Sequence, residues 1–111
     1  MAVNSKEKGK RGERELSHKL NEHGFETRRS VQYNGKADEG KADLVHLPGI
    51  HIECKRVERL NVHEAMAQAI NDAKGGELPT VFHRRNRGPW LVTMRLDDWM
   101  ELYKKFKEAQ I

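Results

Sequence analysis

Ala42-Asp43-Leu44-Val45-His46-Leu47-Pro48-Gly49-Ile50-His51-Ile52-Glu53-Cys54-Lys55-Arg56 holds two short strand-like runs, Asp43 to Leu47 and Ile50 to Arg56, joined around Pro48 and Gly49. Proline fixes φ near −65° and glycine accepts positive φ, so the pair is turn chemistry and the stretch reads as a β-hairpin. The hairpin sets an acid at the start of one strand and Glu53-Cys54-Lys55 near the end of the next. Two carboxylates meeting across a hairpin repel unless a cation lies between them, and hard oxygen ligands suit magnesium or manganese. Glu53 and Lys55 project from one strand face, where the amine can orient a nucleophilic water and offset charge building on a phosphate. Cys54 alternates to the other face, toward the core, as a buried thiol rather than a nucleophile.

The hairpin carries a geometric condition. Asp43 shares the face of Glu53 and Lys55 only if the connection is odd-numbered or a bulge intervenes; a regular two-residue loop aligns Asp43 with Cys54. The spelling acid, any residue, lysine also occurs at Glu39-Gly40-Lys41 and Asp72-Ala73-Lys74. Only Glu53 and Lys55 follow a strand-like run with an acid on the partner strand, because Asp72 ends a helix and Glu39 sits in a glycine-flanked loop.

On either side of the hairpin the pattern turns helical. From Gly9 to His23, Leu16 and Leu20 share a face and Gly24 supplies a stop. Glu13, three and seven positions before those leucines, lies on the side turned toward the protein, and Glu15 faces solvent. Glu13 can alternatively complement the helix amino terminus. Met1 to Lys8 is polar and aperiodic, a flexible basic start, and residues 9–111 read as a single domain. Phe25 to Val31 reads as extended and Tyr33 to Lys41 as a loop. Asn61 and Glu64 open a second helix with Val62, Ala65, Met66, Ala69, Ile70 and Ala73 as its apolar stripe, ended by Gly75 and Gly76. Two more strands follow, Leu78 to His83 and Trp90 to Arg95, with Trp90 expected in the core. A third helix starts near Asp97, its Leu96, Trp99, Met100, Tyr103 and Phe106 on one side as core or interface. The order αβββαββα predicts an α/β fold, a mixed central sheet flanked by helices.

Composition narrows the setting. With 36% hydrophobic and 34% charged residues and a mean hydropathy of −0.91, no run approaches a membrane span. One cysteine forms no intramolecular disulfide and Met1 to Lys10 has no apolar stretch, so a reducing, cytoplasmic setting is expected. The net charge of +4 and pI near 9.3 fit a polyanionic partner. Basic residues cluster at Lys6 to Arg14, at Arg28 and Arg29, and at Arg84, Arg85, Arg87 and Arg95, which meet no acid between Val81 and Leu96. Six histidines and one cysteine lack paired zinc spacing, and His46 and His51 read as ordinary exposed strand histidines.

Four segments in order carry a resemblance: Lys10-Arg11-Gly12-Glu13-Arg14-Glu15-Leu16 on an opening helix, Ala42-Asp43-Leu44-Val45, Ile52-Glu53-Cys54-Lys55, and Gln68 in the next helix. Across Gly9 to Phe82 the chain resembles the PD-(D/E)XK nuclease superfamily, with a restriction-endonuclease-like fold. Its nearest likeness there is to archaeal-type Holliday junction resolvases and small phage-encoded relatives of the VRR-NUC type. The resemblance implies Glu13, Asp43 and Glu53 as metal ligands, directly or through water, the Cys54 carbonyl as a further ligand, Lys55 as catalytic lysine and Gln68 as support. It implies magnesium, with manganese able to substitute, and a homodimer cleaving four-way DNA junctions in the cytoplasm, a phage-encoded member acting in that of the host. Arg29-Ser30 resembles the resolvases' DNA-contacting Arg-Ser segment, and Lys10, Arg11, Arg14, Arg28, Lys36 and Lys41 complete the nucleic-acid-binding set. Alanine stands where the superfamily usually has proline before Asp43. A same-chemistry alternative cuts flaps, nicks or duplex DNA. A noncatalytic nucleic-acid-binding module, whose acids form structural ion pairs with Arg14, Lys55 or Arg56, is a third reading.

Overall fold

The computed structural model describes residues 5–30, 32–33, 36–37 and 40–110. Ten elements run α1 (Ser5–Glu22), β1 (Arg28–Arg29), β2 (Gln32–Tyr33), β3 (Lys36–Ala37), β4 (Leu44–Val45), β5 (Ile50–Arg56), α2 (Val62–Asp72), β6 (Leu78–Arg84), β7 (Leu91–Met94) and α3 (Leu96–Ala109). Five strands form one sheet in the order β1-β4-β5-β6-β7, and β2 pairs with β3 separately. Strands β5 and β6 are parallel and joined by α2, a βαβ crossover, whereas every other neighbouring pair is antiparallel. The expected α/β architecture with a mixed sheet is the one observed.

Alternation along β5 divides the core in two. Ile50, Ile52 and Cys54 turn toward α1, where Leu16, Leu44, Ile52 and Phe82 form a buried cluster backed by Leu20 and Trp90. Val81 of β6 turns the other way and packs on Ala65 and Ala69 of α2. Small residues on α2 let the helix lie close to the sheet, and Asn61 caps it by accepting the Glu64 N–H at 3.1 Å. Trp90 and Cys54 thus sit against the core as the alternation predicts. Ile70, placed on the apolar stripe, is 42% exposed, because Ala65 and Ala69 alone fill the narrow contact.

Several boundaries differ from the sequence reading. Helix α1 begins at Ser5, so Ser5 to Lys8 belong to the helix rather than to a flexible start; Glu7 in the first turn suits the helix dipole and ion-pairs with Lys10 at 3.9 Å. The strand expected over Phe25 to Val31 is two residues long. Its entry is held by side chains: Asn21 Oδ1 accepts the Thr27 N–H at 2.7 Å, its Nδ2 donates to the Thr27 carbonyl at 3.1 Å, and Ser17 Oγ donates to the same carbonyl at 2.8 Å. Those bonds tie Thr27 to α1 and occupy groups a longer ladder would use. Within the expected loop Tyr33 to Lys41, Gln32 pairs with Ala37 and Tyr33 with Lys36.

Gly12 sits at the closest approach of α1 to the sheet: a Cβ there would stand 2.6 Å from the Arg56 Cβ. Gly12→Ala ordinarily gains helix propensity, yet here the clash is with the root of a side chain that cannot swing away. The variant is expected to lose about 1–2 kcal/mol in urea unfolding, the overpacking term exceeding the propensity gain.

Candidate active site

The hairpin meets its geometric condition through a bulge. Leu47 to Ile50 is a tight turn in which the Ile50 N–H donates to the Leu47 carbonyl at 3.1 Å, with Gly49 at φ 87°. Further out Leu44 faces Ile52, so three residues on the first strand span what two span on the second. The extra residue is absorbed around His46, whose φ is 76°. A regular hairpin would have set Asp43 against Cys54; the bulge sets Leu44 into the α1-side core with Ile52 and leaves Asp43 on the face of His51, Glu53 and Lys55.

Asp43 is fixed by the backbone it faces. Its Oδ2 accepts the Cys54 N–H at 2.7 Å, and its own N–H donates to the Ile52 carbonyl at 2.8 Å. Strand β1 locks the other side: the Ser30 N–H donates to the Asp43 carbonyl at 3.1 Å, and the Ser30 hydroxyl donates to the Ala42 carbonyl. Burial, and then the neighbouring Glu53 carboxylate, push the Asp43 pKa from the usual 3.8 to about 7, with Glu13 adding to the rise and the Cys54 N–H and Lys55 opposing it. Burial, and then Asp43, push the Cys54 thiol far up, so it is no nucleophile.

Glu53 is 2% exposed. Its Oε2 lies 3.5 Å from Lys55 Nζ, while its Oε1 has no hydrogen-bond partner and lies 3.7 Å from His51 Nε2, itself unpartnered. Lys55 Nζ donates to Gln68 Oε1 at 3.1 Å, which brings α2 to the site. Glu13, at the cleft wall, accepts from Arg29 Nε at 2.7 Å. Lys10, Glu13, Arg29, Ser30, Lys41 and Asp43 line one cleft of about 510 Å³.

The remaining sequence-derived contacts divide. Arg11 opens onto a different hollow with Lys8, Glu15 and Arg56. Arg14 and Arg28 are exposed, and the side chain of Lys36 lies outside the described residues, as does Glu39. Three expectations are corrected. His51 is 1% exposed rather than an ordinary exposed strand histidine, because the bulge assigns its face to the α2 side together with Glu53. Glu15 does not simply face solvent: it bonds the Arg84 guanidinium and lies 3.5 Å from Arg56 Nε, since β5 and β6 pass beneath the first turns of α1. The last helix is not core, its aromatics being exposed. The His51 contact was legible in principle, as His51, Glu53 and Lys55 follow period two; the Glu13–Arg29 bond spans sixteen positions and has no local signal.

Among the described residues no three metal-ligating side chains converge tightly enough to chelate an ion as they stand. The donor set nevertheless fits a hard divalent cation. Glu53 Oε1 is a buried carboxylate oxygen without a partner, and Asp43 is held protonated near neutrality by the charge beside it. A cation between them would relieve both costs.

The fold and this donor set define a PD-(D/E)XK nuclease. The chain matches, over residues 4–111, the family described as "Phage putative PDDEXK endonuclease", and it belongs to that family. No curated protein and no solved structure gives a significant match. No helix among the described residues is long and apolar enough to cross a membrane.

The raised Asp43 pKa has a pH signature. Between pH 3.8 and about 7 the folded chain keeps a proton on Asp43 that the unfolded chain has released, so metal-free stability falls as pH rises through that window. Asp43→Asn keeps an acceptor for the Cys54 N–H and removes the charge. In chelator it is expected to be more stable than the native chain by about 1–3 kcal/mol at pH 8 and matched to it near pH 4. Thermal melts at the two pH values check this; a variant less stable at pH 8 would show that the carboxylate costs the fold nothing.

Proposed function

We propose that the chain is a metal-dependent DNA endonuclease that cuts branched DNA, four-way junctions above all, by paired phosphodiester hydrolysis in a homodimer. The observation that carries the nuclease reading is the bulged hairpin, which sets buried Asp43 on the face of Glu53 and Lys55 beside a cleft walled by Lys10, Arg29 and Lys41. Asp43 and Glu53 would hold magnesium or manganese, with the Cys54 carbonyl and, through water, Glu13. When bound, the cation supplies positive charge at the phosphate and acidity that makes water a nucleophile near neutral pH.

The chain's own groups do the rest. Gln68 holds the Lys55 ammonium at 3.1 Å, where it orients the attacking water and stands against charge growing on the phosphate. Arg29 keeps Glu13 ionised at the cleft wall and is itself held between helix and strand, so its role is to position Glu13 as much as to meet DNA. Lys10 and Lys41 present ammonium groups to the phosphates flanking the cut. With three acids set against a cation, 14 acidic side chains remain against 21 basic ones, so DNA meets a surface of about +7. The pairs Glu13–Arg29 and Glu53–Lys55 are also what the noncatalytic binding module requires, which keeps that reading as the contrast in the test.

The test is cleavage of a labelled immobile four-way junction in magnesium, with flap and linear duplex controls. Paired nicks on the junction are expected, reduced at least about a hundredfold in Glu53→Gln and Asp43→Asn with binding retained. Gln68→Leu is expected to cut about tenfold more slowly at unchanged affinity, because Lys55 loses its anchor. Equal cleavage of all substrates would replace junction preference with general endonuclease activity, and binding without cleavage would favour the noncatalytic module.

A further inference from the structure

Helix α3 stands almost unsupported. Of its residues only Asp98 is buried and Met100 partly so; every residue from Glu101 to Ala109 is exposed, and the helix makes only marginal contact with the rest of the fold. A helix of 14 residues is marginal in water by itself, so it needs an apolar surface to lie against. Its own apolar side is built for one. Leu96, Trp99, Tyr103 and Phe106 recur at spacings of three and four, the period of a helix-pairing seam, and are 71%, 49%, 41% and 59% exposed. Trp99 and Tyr103 stack with ring centroids 5.4 Å apart and Tyr103 meets Phe106 at 6.2 Å, so the stripe is one continuous aromatic ridge. On the adjoining edge strand, Leu91 and Val92 are 53% and 59% exposed. Large apolar side chains of this number expose several hundred Å², more than a monomer ordinarily leaves bare and about what one partner contributes to a stable dimer.

Charge selects the occupant. Helix α3 carries Asp97, Asp98, Glu101 and Glu108 against Lys104, Lys105 and Lys107, so it is slightly acidic in a basic chain and does not complement DNA. The signs are also segregated: acids fill the first half and lysines dominate the second. Antiparallel pairing with an identical helix lays the acidic half of each along the basic half of the other, whereas parallel pairing juxtaposes like charges. A two-fold axis near Leu102 and Tyr103 brings Trp99 of one copy toward Phe106 of the partner and makes the contact self-complementary.

We propose that α3 and β7 form the homodimer surface, two copies pairing antiparallel through Leu96, Trp99, Tyr103 and Phe106. This deepens the two-copy part of the functional reading, and its test reads mass instead of cleavage, so either can fail alone. The active-site groups belong to β4, β5, α1 and α2, so the surface is separate from them.

Light scattering on the full chain at tens of micromolar is expected to give a dimer, and Phe106→Asp a monomer with an unchanged melting curve, its affinity for itself weakened at least about tenfold. Two charge variants keep the test independent of that substitution: Asp97→Lys with Glu101→Lys, and Lys105→Glu with Lys107→Glu, should each weaken self-association, and mixing them should restore a mixed dimer. A monomeric native chain, a dimer indifferent to Phe106→Asp, or a monomer whose junction binding is lost in Phe106→Asp would each overturn the proposal, the last by giving the face to DNA.

Discussion

The bond from the Cys54 N–H to the Asp43 carboxylate, 2.7 Å long, is the constraint on which the site depends. A backbone N–H at this point of the strand would ordinarily seek a carbonyl on the neighbouring strand. The bulge around His46 removes that partner and substitutes a side chain, so the same irregularity that bends β4 also aims Asp43. Ser30 closes the far side by bonding the carbonyls of Ala42 and Asp43. Asp43 is thereby over-determined by three segments, which is what holds a carboxylate beside Glu53 against their repulsion.

That arrangement draws on a small core. Among the described residues the fully buried side chains of largest volume include His51 and Glu53 alongside Leu16, Leu44 and Ile52. Polar groups therefore occupy positions that an apolar residue would use for stability, and two of their atoms, His51 Nε2 and Glu53 Oε1, face each other without a hydrogen bond. The compensation is found nearby in ion pairs that bridge elements: Glu13 with Arg29 joins α1 to β1, and Glu15 with Arg84 and Arg56 joins α1 to β6 and β5. The first of these is partly buried and well aligned, the geometry in which such a pair contributes most.

How far the sequence discloses this depends on the range of each interaction. The hairpin, α2 and its Asn61 cap follow from neighbours within a few positions, and period two alone assigns Glu53 and Lys55 to one face and Cys54 to the other. The bulge follows only as a condition, because Pro48-Gly49 fixes the turn while the register depends on which of Leu44 and Asp43 the core accepts; Leu44, apolar, fills the α1-side cluster and Asp43 is left to the site. Glu15 and Arg84 are 69 positions apart, and helical phase alone leaves Glu15 outward. Thr27 shows the converse failure: its surroundings read as strand, yet side chains of α1 take its backbone groups and the strand shrinks to two residues.

The sheet order separates the two demands made on this chain. The site uses β4 and β5, central in the sequence and bounded by α1 and α2 on their two faces, where buried carboxylates can be held rigidly. Strand β7 is the opposite edge, paired only with β6 and followed at once by α3. An apolar surface placed next to the site would lower the local dielectric and raise the Asp43 pKa further, while one at the far edge leaves the basic cleft open to a polyanion. A five-stranded sheet is wide enough to keep them apart; a narrower one would force the acids and the aromatic ridge into the same space.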